Sequence, residues 1–492
     1  MQRISPQFRQ LAQRTRYVLT LARRLLRFAL VSFRFVGLVW LIDPLRRRFG
    51  TAAIPGKPVR LREYFECLGG GSIKLGQLLA LQPDIIPEAY CNQLFDLMDR
   101  VRPYDIGTAR RILEEELGKP IEAIFDLFDP EPLATASIGQ VYAAVLDGQR
   151  VAVKIQRPEA NAQMLPDIYL AALFVNTIRS LHLAPLYWLI EPISEFVRWS
   201  HEELDYRNEA RYTSQAYENA RGEAFEKVPK VFWEFTTRRV AVFEFLQGVT
   251  VLDFIRARAG PEPVSLSFTP AGFRSHDYCT HIIDNFLDGA FNCGLFHADL
   301  HPANLLILDH NAVGYVDYGI TGVLGEYSRQ NLIALTLAYA QGNAEKMFEI
   351  FLRISTVSAE SDFEGLERGL RALAHRVSAA VEVGSQTSIT SVMLEWLHLS
   401  RRTYIWPQRD VIKYIRSAVA VDGLIKRLDP EFEVGPALAR AARRHVEAGL
   451  RRQVFSSEQM FHAFSEFVEL LTRGATPLRN ALDELACEDL VK

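Results

Sequence analysis

Asp299 and Asn304 stand five residues apart in the segment FHADLHPANLLILD (296–309), and Asp317 follows Asp299 by eighteen residues in VDYG (316–319). Phosphoryl transfer needs this set of groups. One carboxylate orients the nucleophile, while an amide and a second carboxylate hold Mg2+ on the phosphate oxygens. A D-x4-N pair alone occurs by chance in any helical protein. The joint pattern, H-x-D-x-H-x-x-N followed by two short strands and D-Y-G, is far more specific. His297 and His301 flank the aspartate, and His301 is expected to brace the loop by hydrogen bonds rather than act as acid or base. Upstream, Lys154 lies in VAVKI (151–155), between apolar neighbours of a strand. An ammonium there is costly unless it meets anions, here nucleotide phosphates and a helix carboxylate.

These side chains are far apart along the chain, so the elements that carry them must converge. The run ASIGQVYAAVLDGQRVAVKIQ is rich in strand-forming residues around Asp147-Gly148, a dipeptide typical of tight hairpins. RRVAVFEFL (238–246) reads as another strand. LLILD and VGYVDYG read as two short strands separated by Asp309, His310 and Asn311. Residues 59–125 and 160–225 carry apolar positions at helical spacing, and helices dominate after 250. The pattern implies an α+β fold with a small β-rich lobe followed by a larger helical lobe. The expected division is a basic amphipathic segment at 1–54, a helical extension at 55–125, lobes at 126–250 and 251–385, and a helical region at 386–492. Where a glycine-rich phosphate loop would precede Lys154 stands ATASIGQV (134–141), with one glycine in place of three. Side chains there restrict how closely backbone amides approach phosphates, so nucleotide geometry should differ from that of ordinary kinases.

Of the 492 residues, 49% are hydrophobic and 23% charged, the balance of a globular protein large enough for two or three packed units. Five scattered cysteines read as reduced thiols and show no metal-ligand spacing. The net charge is −3, but residues 1–48 hold eleven arginines and one acid, Asp43. This asymmetry excludes a generally basic nucleic-acid binder and points to one basic patch facing an anionic surface. In residues 17–42, Arg23, Arg27 and Arg34 share one face of a helix, with Arg24 at its edge. Arg27 and Arg34 interrupt any uncharged stretch of spanning length. The expectation is interfacial binding through residues 17–48, with guanidinium groups reaching lipid phosphates. The alternative is a helix that docks its apolar face on the rest of the protein.

Four segments in order resemble the UbiB/ADCK family of atypical kinases: KLGQ (74–77), ATASIGQVYAA (134–144), ELDYRNEA (203–210) and the catalytic segments above. The likeness covers roughly residues 60–325, including LQPDIIPEAYCNQLFDLMDRV after KLGQ. It implies a kinase-like fold with added N-terminal helices that binds ATP or ADP with Mg2+. By that match Lys154 binds phosphates, Glu209 is its helix partner, Asp299 is the catalytic-loop aspartate, and Asn304 and Asp317 are metal ligands. Ala136, Ser137, Gly139, Gln140 and Val141, with Glu244, Phe245 and Leu246, would surround the nucleotide. Lys74 and Gln77 would lie on a helix folded over the active site, meeting Glu203 and Asp205. An occluded groove implies ATP hydrolysis or small-molecule phosphorylation, in support of ubiquinone or other isoprenoid-lipid pathways, as a cytoplasmic protein on a membrane. Self-association is left open. Two other functions fit parts of the pattern. One is a nucleotide-binding scaffold without turnover. The other is an aminoglycoside- or choline-type kinase, whose catalytic loop HADLHPANLL also resembles.

Overall fold

The computed structural model describes residues 6–48, 55–80, 82, 85–95, 97, 103–136, 138–259, 270–340, 344–357, 361–382, 389–434 and scattered positions up to 444. The chain divides into two units, Met1–Gly435 and Pro436–Lys492, and the first contains every element discussed below. Of the second, a few helical positions are described.

The first unit opens with α1 (Pro6–Gly37), which runs through a π-turn at Leu38–Ile42 into α2 (Asp43–Arg48). α3 (Lys57–Leu68), α4 (Gly71–Ala80) and α5 (Glu88–Phe95) follow, then α6 (Ile106–Leu117), capped by Asp105 at its start and left-handed Gly118 at its end. A four-stranded antiparallel sheet comes next, in the order β1-β2-β3-β5. Its strands are β1 (Leu127–Thr135), β2 (Gly139–Leu146), β3 (Gln149–Gln156) and, later in the chain, β5 (Val240–Glu244). Asp147 and Gly148 both have positive φ, 48° and 74°, the geometry that lets a two-residue turn follow the twist of β2 and β3. Val151, Val153 and Ile155 of β3 and Val240 and Val242 of β5 are fully buried against α6.

Between β3 and β5 lie α7 (Ala160–Ser180), α8 (Ile190–Glu203), α9 (Tyr206–Asn219) and the short β4 (Glu226–Lys227). β6 (Val249–Thr250), α10 (Val251–Ala259) and α11 (Ser275–Asp288) lead into the larger lobe. There β7 (Leu295–His297), β8 (Leu305–Ile307), β9 (Val313–Tyr315) and β10 (Thr321–Val323) carry the catalytic segments. β8 and β9 form the hairpin expected from the sequence, turning through His310 and Asn311 at φ 57° and 63°. They sit in a second sheet ordered β4-β9-β8-β6, while β7 pairs with β10. The remainder is α12 (Glu326–Ala340), α13 (Ala344–Arg353), β11 (Ser355–Thr356), α14 (Phe363–Glu382), α15 (Ile389–Thr403), β12 (Trp406–Pro407) and α16 (Arg409–Leu428). α16 packs on the catalytic lobe through Tyr414, stacked on Phe286 of α11 at 5.5 Å between ring centroids. The fold is therefore kinase-like, mixed α+β, with a β-rich lobe, a helical lobe and a helical N-terminal extension.

The N-terminal helix docks the opposite way from the packing alternative. Leu26, Leu30 and Phe33 are 61%, 61% and 82% exposed, while the side that carries Arg24, Ser32 and Phe35 packs on the protein. Arg24 donates to the carbonyl oxygens of Leu68 (2.6 Å) and Gly69 (2.5 Å), to Ser72 Oγ (3.2 Å) and to both oxygens of Asp167. Arg27 donates to the Cys67 carbonyl at 2.7 Å. Arg24 is thus engaged on every side within the protein, whereas Arg27 stays exposed with one contact to it. Despite Arg27 and Arg34, the continuous helix Leu19–Leu45 is long and apolar enough, by length and composition, to cross a membrane, and its most apolar window has no buried residue.

Candidate phosphoryl-transfer site

Lys154 is carried to the cleft by β3, where Val141 of β2 and Ala241 of β5 flank it in register. Its Nζ donates to both oxygens of Glu209 on α9 at 2.8 Å and to Asp317 Oδ2 at 3.1 Å. Lys154 and Glu209 are each 7% exposed. Burial alone would pull the ammonium down, but Asp317 and Glu209 outweigh it and hold Lys154 well above the ordinary lysine range. Burial lifts Glu209 to about 7, against the pull of Lys154. Asp317 goes the other way: burial would raise it, but Lys154 and Lys74 hold it at about 2. Three charged groups from β3, α9 and the segment after β9 thus share one centre. Tyr206, 1% exposed at the start of α9, lies beneath it with its ring 5.4 Å from the Lys154 ammonium.

The catalytic loop is fixed by its own hydrogen bonds. His297 Nε2 donates to the Val316 carbonyl at 3.0 Å, and its Nδ1 accepts from the Asp299 amide at 3.2 Å. Burial pulls this imidazole below its usual pKa, which suits a neutral brace with one donor and one acceptor nitrogen. His301 Nδ1 accepts from the Ala303 amide at 3.2 Å and so caps the short turn Pro302–Asn304. Asn304 Nδ2 donates to the Asp299 carbonyl (3.0 Å) and to Asp299 Oδ2 (3.3 Å). That leaves the Asn304 amide oxygen for a cation, and leaves Asp299 Oδ1 buried without a partner among the described residues. Asp317 adopts φ 60°, an uncommon left-handed conformation for this residue type, and accepts from the Gly319 amide at 3.2 Å. Its carboxylate is turned into the cleft, 42% exposed.

This donor set fits Mg2+. Among the described residues no three His, Cys, Asp or Glu side chains make a self-sufficient metal cage. Mg2+ does not need one, because it keeps waters and takes one or two protein oxygens plus phosphate oxygens. Asp317 and the Asn304 amide oxygen are the protein ligands on offer.

The helix α4 reaches over this cleft. Lys74 forms an ion pair with Glu203 at the end of α8, and the two side chains are 17% and 8% exposed. Burial would lower the Lys74 ammonium, but Glu203, Asp299 and Asp317 together raise it above its usual value. Glu203 Oε2 has no partner among the described residues. Lys74, Glu203, Lys154, Glu209 and Asp317 line a single cleft.

Other residues singled out in the sequence take different places. Gln77 is buried and donates to the Leu97 carbonyl at 3.2 Å, inside the extension rather than in the cleft. Asp205 lines the cleft, but its carboxylate caps α9 and is bound by Arg207 at 2.6 and 2.8 Å. It is Glu203, not Asp205, that Lys74 meets. In the loop before β2, the Ala136 amide donates to the Gly139 carbonyl at 2.8 Å, and Ala136 borders the cleft. A Cβ on Gly139 would stand 2.2 Å from the Tyr206 hydroxyl and 2.7 Å from the Ile155 carbonyl oxygen. The remaining glycine therefore serves close packing of β2 on Tyr206, whatever it does for phosphates. Gln140 is fully buried and accepts from the Tyr142 hydroxyl at 2.8 Å, a contact internal to β2. Ser137 lies outside the described residues. Glu244 accepts from the Lys230 amide at 3.1 Å, and the Phe245 ring is covered by the Arg150 guanidinium at 4.0 Å. Glu244, Phe245 and Leu246 connect the two sheets and do not line the Lys154 cleft. Sequence reasoning passed over Tyr206, although it stands inside the ELDY segment and next to the helix-capping aspartate.

The pattern of the ABC1 atypical kinase-like domain matches residues 96–351, just over half of the chain. Among solved structures, the complex of Rv3197 with erythromycin from Mycobacterium tuberculosis is similar at 22% sequence identity. The match covers 74% of this chain and 89% of that one, with a TM-score of 0.49. The lysine of β3, its glutamate on α9, and the D-x4-N and D-Y-G segments all fall inside the matched region, and the chain belongs to the ABC1 atypical kinase-like family.

Proposed function

We propose that this chain is a Mg2+-dependent, ATP-binding enzyme of the UbiB/ADCK type, an ATPase or small-molecule kinase serving ubiquinone or another isoprenoid-lipid pathway at a membrane surface. The observation that carries the catalytic part is the Lys154 ammonium held between Glu209 and Asp317, facing a catalytic loop whose Asp299 has a free oxygen. Lys154 is positioned to bind nucleotide phosphates, with Glu209 fixing its direction. Asp299 Oδ1 is positioned to accept the proton of an attacking water or hydroxyl. Mg2+, when bound, neutralises phosphate charge, and Asp317 and Asn304 are the residues that would hold it. Closure by α4 favours a small nucleophile over a protein side chain. The membrane part rests on the exposed apolar face of α1.

One observation favours a second reading, a nucleotide-binding scaffold without turnover. The Lys74 ammonium already supplies positive charge to Glu203, Asp299 and Asp317, where a catalytic metal would sit. Mg2+-dependent ATP turnover by the full chain, with and without anionic liposomes, separates the two. Multiple turnovers, raised by liposomes and lost in Asp317→Asn, are expected of the enzyme. ATP binding with no turnover under either condition would establish the scaffold.

A further inference from the structure

Lys413 stands near the start of α16, half-buried and outside the lining of the Lys154 cleft. Among the described residues no carboxylate forms an ion pair with it. Its ammonium is held instead between two other elements. It donates to the Thr321 carbonyl of β10 at 3.0 Å and lies 5.0 Å from the centre of the Trp199 ring on α8. Burial, the largest influence, pulls this ammonium below the usual lysine value; Arg198 and Arg416 act in the same direction, against Glu195 and Glu202. A lysine needed only for packing would send its head to water, and an apolar side chain would fill the same space without the desolvation.

The elements behind Lys413 are firmly joined. Glu195 and Glu191, one and two turns before Trp199 on α8, pair with Arg416 (3.1 Å) and Arg409 (2.8 Å) of α16. Tyr414, the next residue of α16, also meets Phe296 of β7 edge-on at 5.9 Å. In front of Lys413 lies β10, one strand of a two-stranded sheet, which begins four residues after Asp317. Thr321 stands opposite His297 in a pair bridged by the Ala298 amide, which donates to the Ile320 carbonyl at 3.0 Å. In an antiparallel ladder the Thr321 carbonyl then points away from β7, where Lys413 takes it up. Thr321 Oγ1 donates to the Tyr318 carbonyl at 2.8 Å and so closes the turn that starts at Asp317. Asp317 sits in that turn at φ 60°, a conformation that persists only where its surroundings enforce it.

We propose, given the reading of Asp317 as a metal ligand, that Lys413 is a positioning residue for it. Through the Thr321 carbonyl, Lys413 fixes the turn after β9 in the conformation that aims the Asp317 carboxylate into the cleft. Without the ammonium, β10 loses this tie to α16, and the turn relaxes towards a commoner backbone conformation that withdraws the carboxylate.

The test is calorimetric titration of the full chain with ADP, with and without Mg2+. Wild type is expected to bind ADP more tightly with Mg2+. Lys413→Met should bind Mg-ADP about tenfold more weakly, the consequence of losing a hydrogen bond from a charged donor. Its affinity for metal-free ADP should match wild type, because Lys154 and Glu209 keep their places; a general structural loss would weaken both. Asp317→Asn should weaken Mg-ADP by at least as much, and adding Lys413→Met to it should weaken binding no further, since the two residues act in series. Thermal unfolding shows whether Lys413→Met folds. If it does not, Trp199→Leu, which removes the ring from the ammonium, is read in the same cycle and should weaken Mg-ADP alone by about threefold. Mg-ADP affinity equal to wild type, equal weakening with and without Mg2+, or losses that add to those of Asp317→Asn would overturn the role of Lys413 alone. No effect of Mg2+ on wild type, or none of Asp317→Asn on Mg-ADP, would overturn the metal-ligand reading and the role of Lys413 with it.

Discussion

Lys154 and Glu209 are each costly in the core and tolerable only together. Removing one member of a buried pair leaves an uncompensated charge, at a cost of about 3–5 kcal/mol, whereas replacing both with apolar groups is often close to neutral. Glu209 has an escape that Lys154 lacks, since its carboxyl already stands at about 7 and can take up a proton. In Lys154→Met the opposing pull disappears and the Glu209 carboxyl rises further. A carboxyl raised above its unfolded value binds more protons when folded, so stability falls as pH climbs from that unfolded value towards the folded one. The Lys154→Met variant should therefore lose stability more steeply than wild type between about pH 5 and about pH 8. Lys154→Met with Glu209→Leu should lose that added slope, and neither should turn over ATP. Urea denaturation at a series of pH values checks the slopes, and parallel curves for wild type and Lys154→Met would refute the account.

At the scale of elements, Arg24 holds α1 on the extension by three kinds of contact at once. It covers carbonyls that the end of α3 leaves unsatisfied, touches Ser72 in the first turn of α4, and neutralises Asp167 of α7, which is 8% exposed. Arg24→Ala should leave a buried carboxylate unpaired and release α1, seen as faster hydrogen exchange and proteolysis across residues 6–48 with the ATP site unaffected. Gly71→Ala offers an independent route to the same outcome, because a Cβ there would stand 2.9 Å from Asp167 Cβ and displace its carboxylate. Protection of α1 unchanged in both variants would show that its packing on Tyr64, through Phe35 at 4.8 Å, suffices. None of this was legible in the sequence. Local signals there were strong: Asp147-Gly148 fixed the β2–β3 hairpin, and the D-x4-N and D-Y-G spacing placed three site residues around one loop. An amphipathic pattern shows that a helix has two faces, but not which face docks. Here five protein oxygens around Arg24 turned inward the side it shares with Ser32 and Phe35, and those oxygens come from the end of α3, from α4 and from α7, far along the chain. Asp205 lines the cleft without pairing with Lys74 for a related reason. A carboxylate just before a helix has a local use as a cap, which competed with the distant ion pair and won.

At the scale of the whole molecule, the inverted docking of α1 bears on what would hold the protein to a membrane. Of the arginines on which electrostatic attraction was expected to rely, Arg24 is engaged within the protein and Arg27 stays exposed with one contact to it. What α1 offers outward is apolar: Leu26, Leu30 and Phe33 are spaced along one face, and each is more than half exposed. Transfer of apolar area into lipid should then dominate, with Arg23, Arg27 and Arg34 adding a salt-sensitive part. Each large apolar side chain contributes about 1.5–3 kcal/mol when fully buried. Replacing Leu30 and Phe33 together with serine should therefore weaken liposome binding by at least about a hundredfold. Thermal stability and Mg-ATP affinity in solution should stay as in wild type, since those side chains project away from the protein. Liposome flotation across a salt series tests both halves of this argument. Binding that survives high salt but not the double substitution is expected of an apolar contact. Binding that survives the substitution and vanishes with salt would move the interaction to the arginines and remove α1's exposed face from the account.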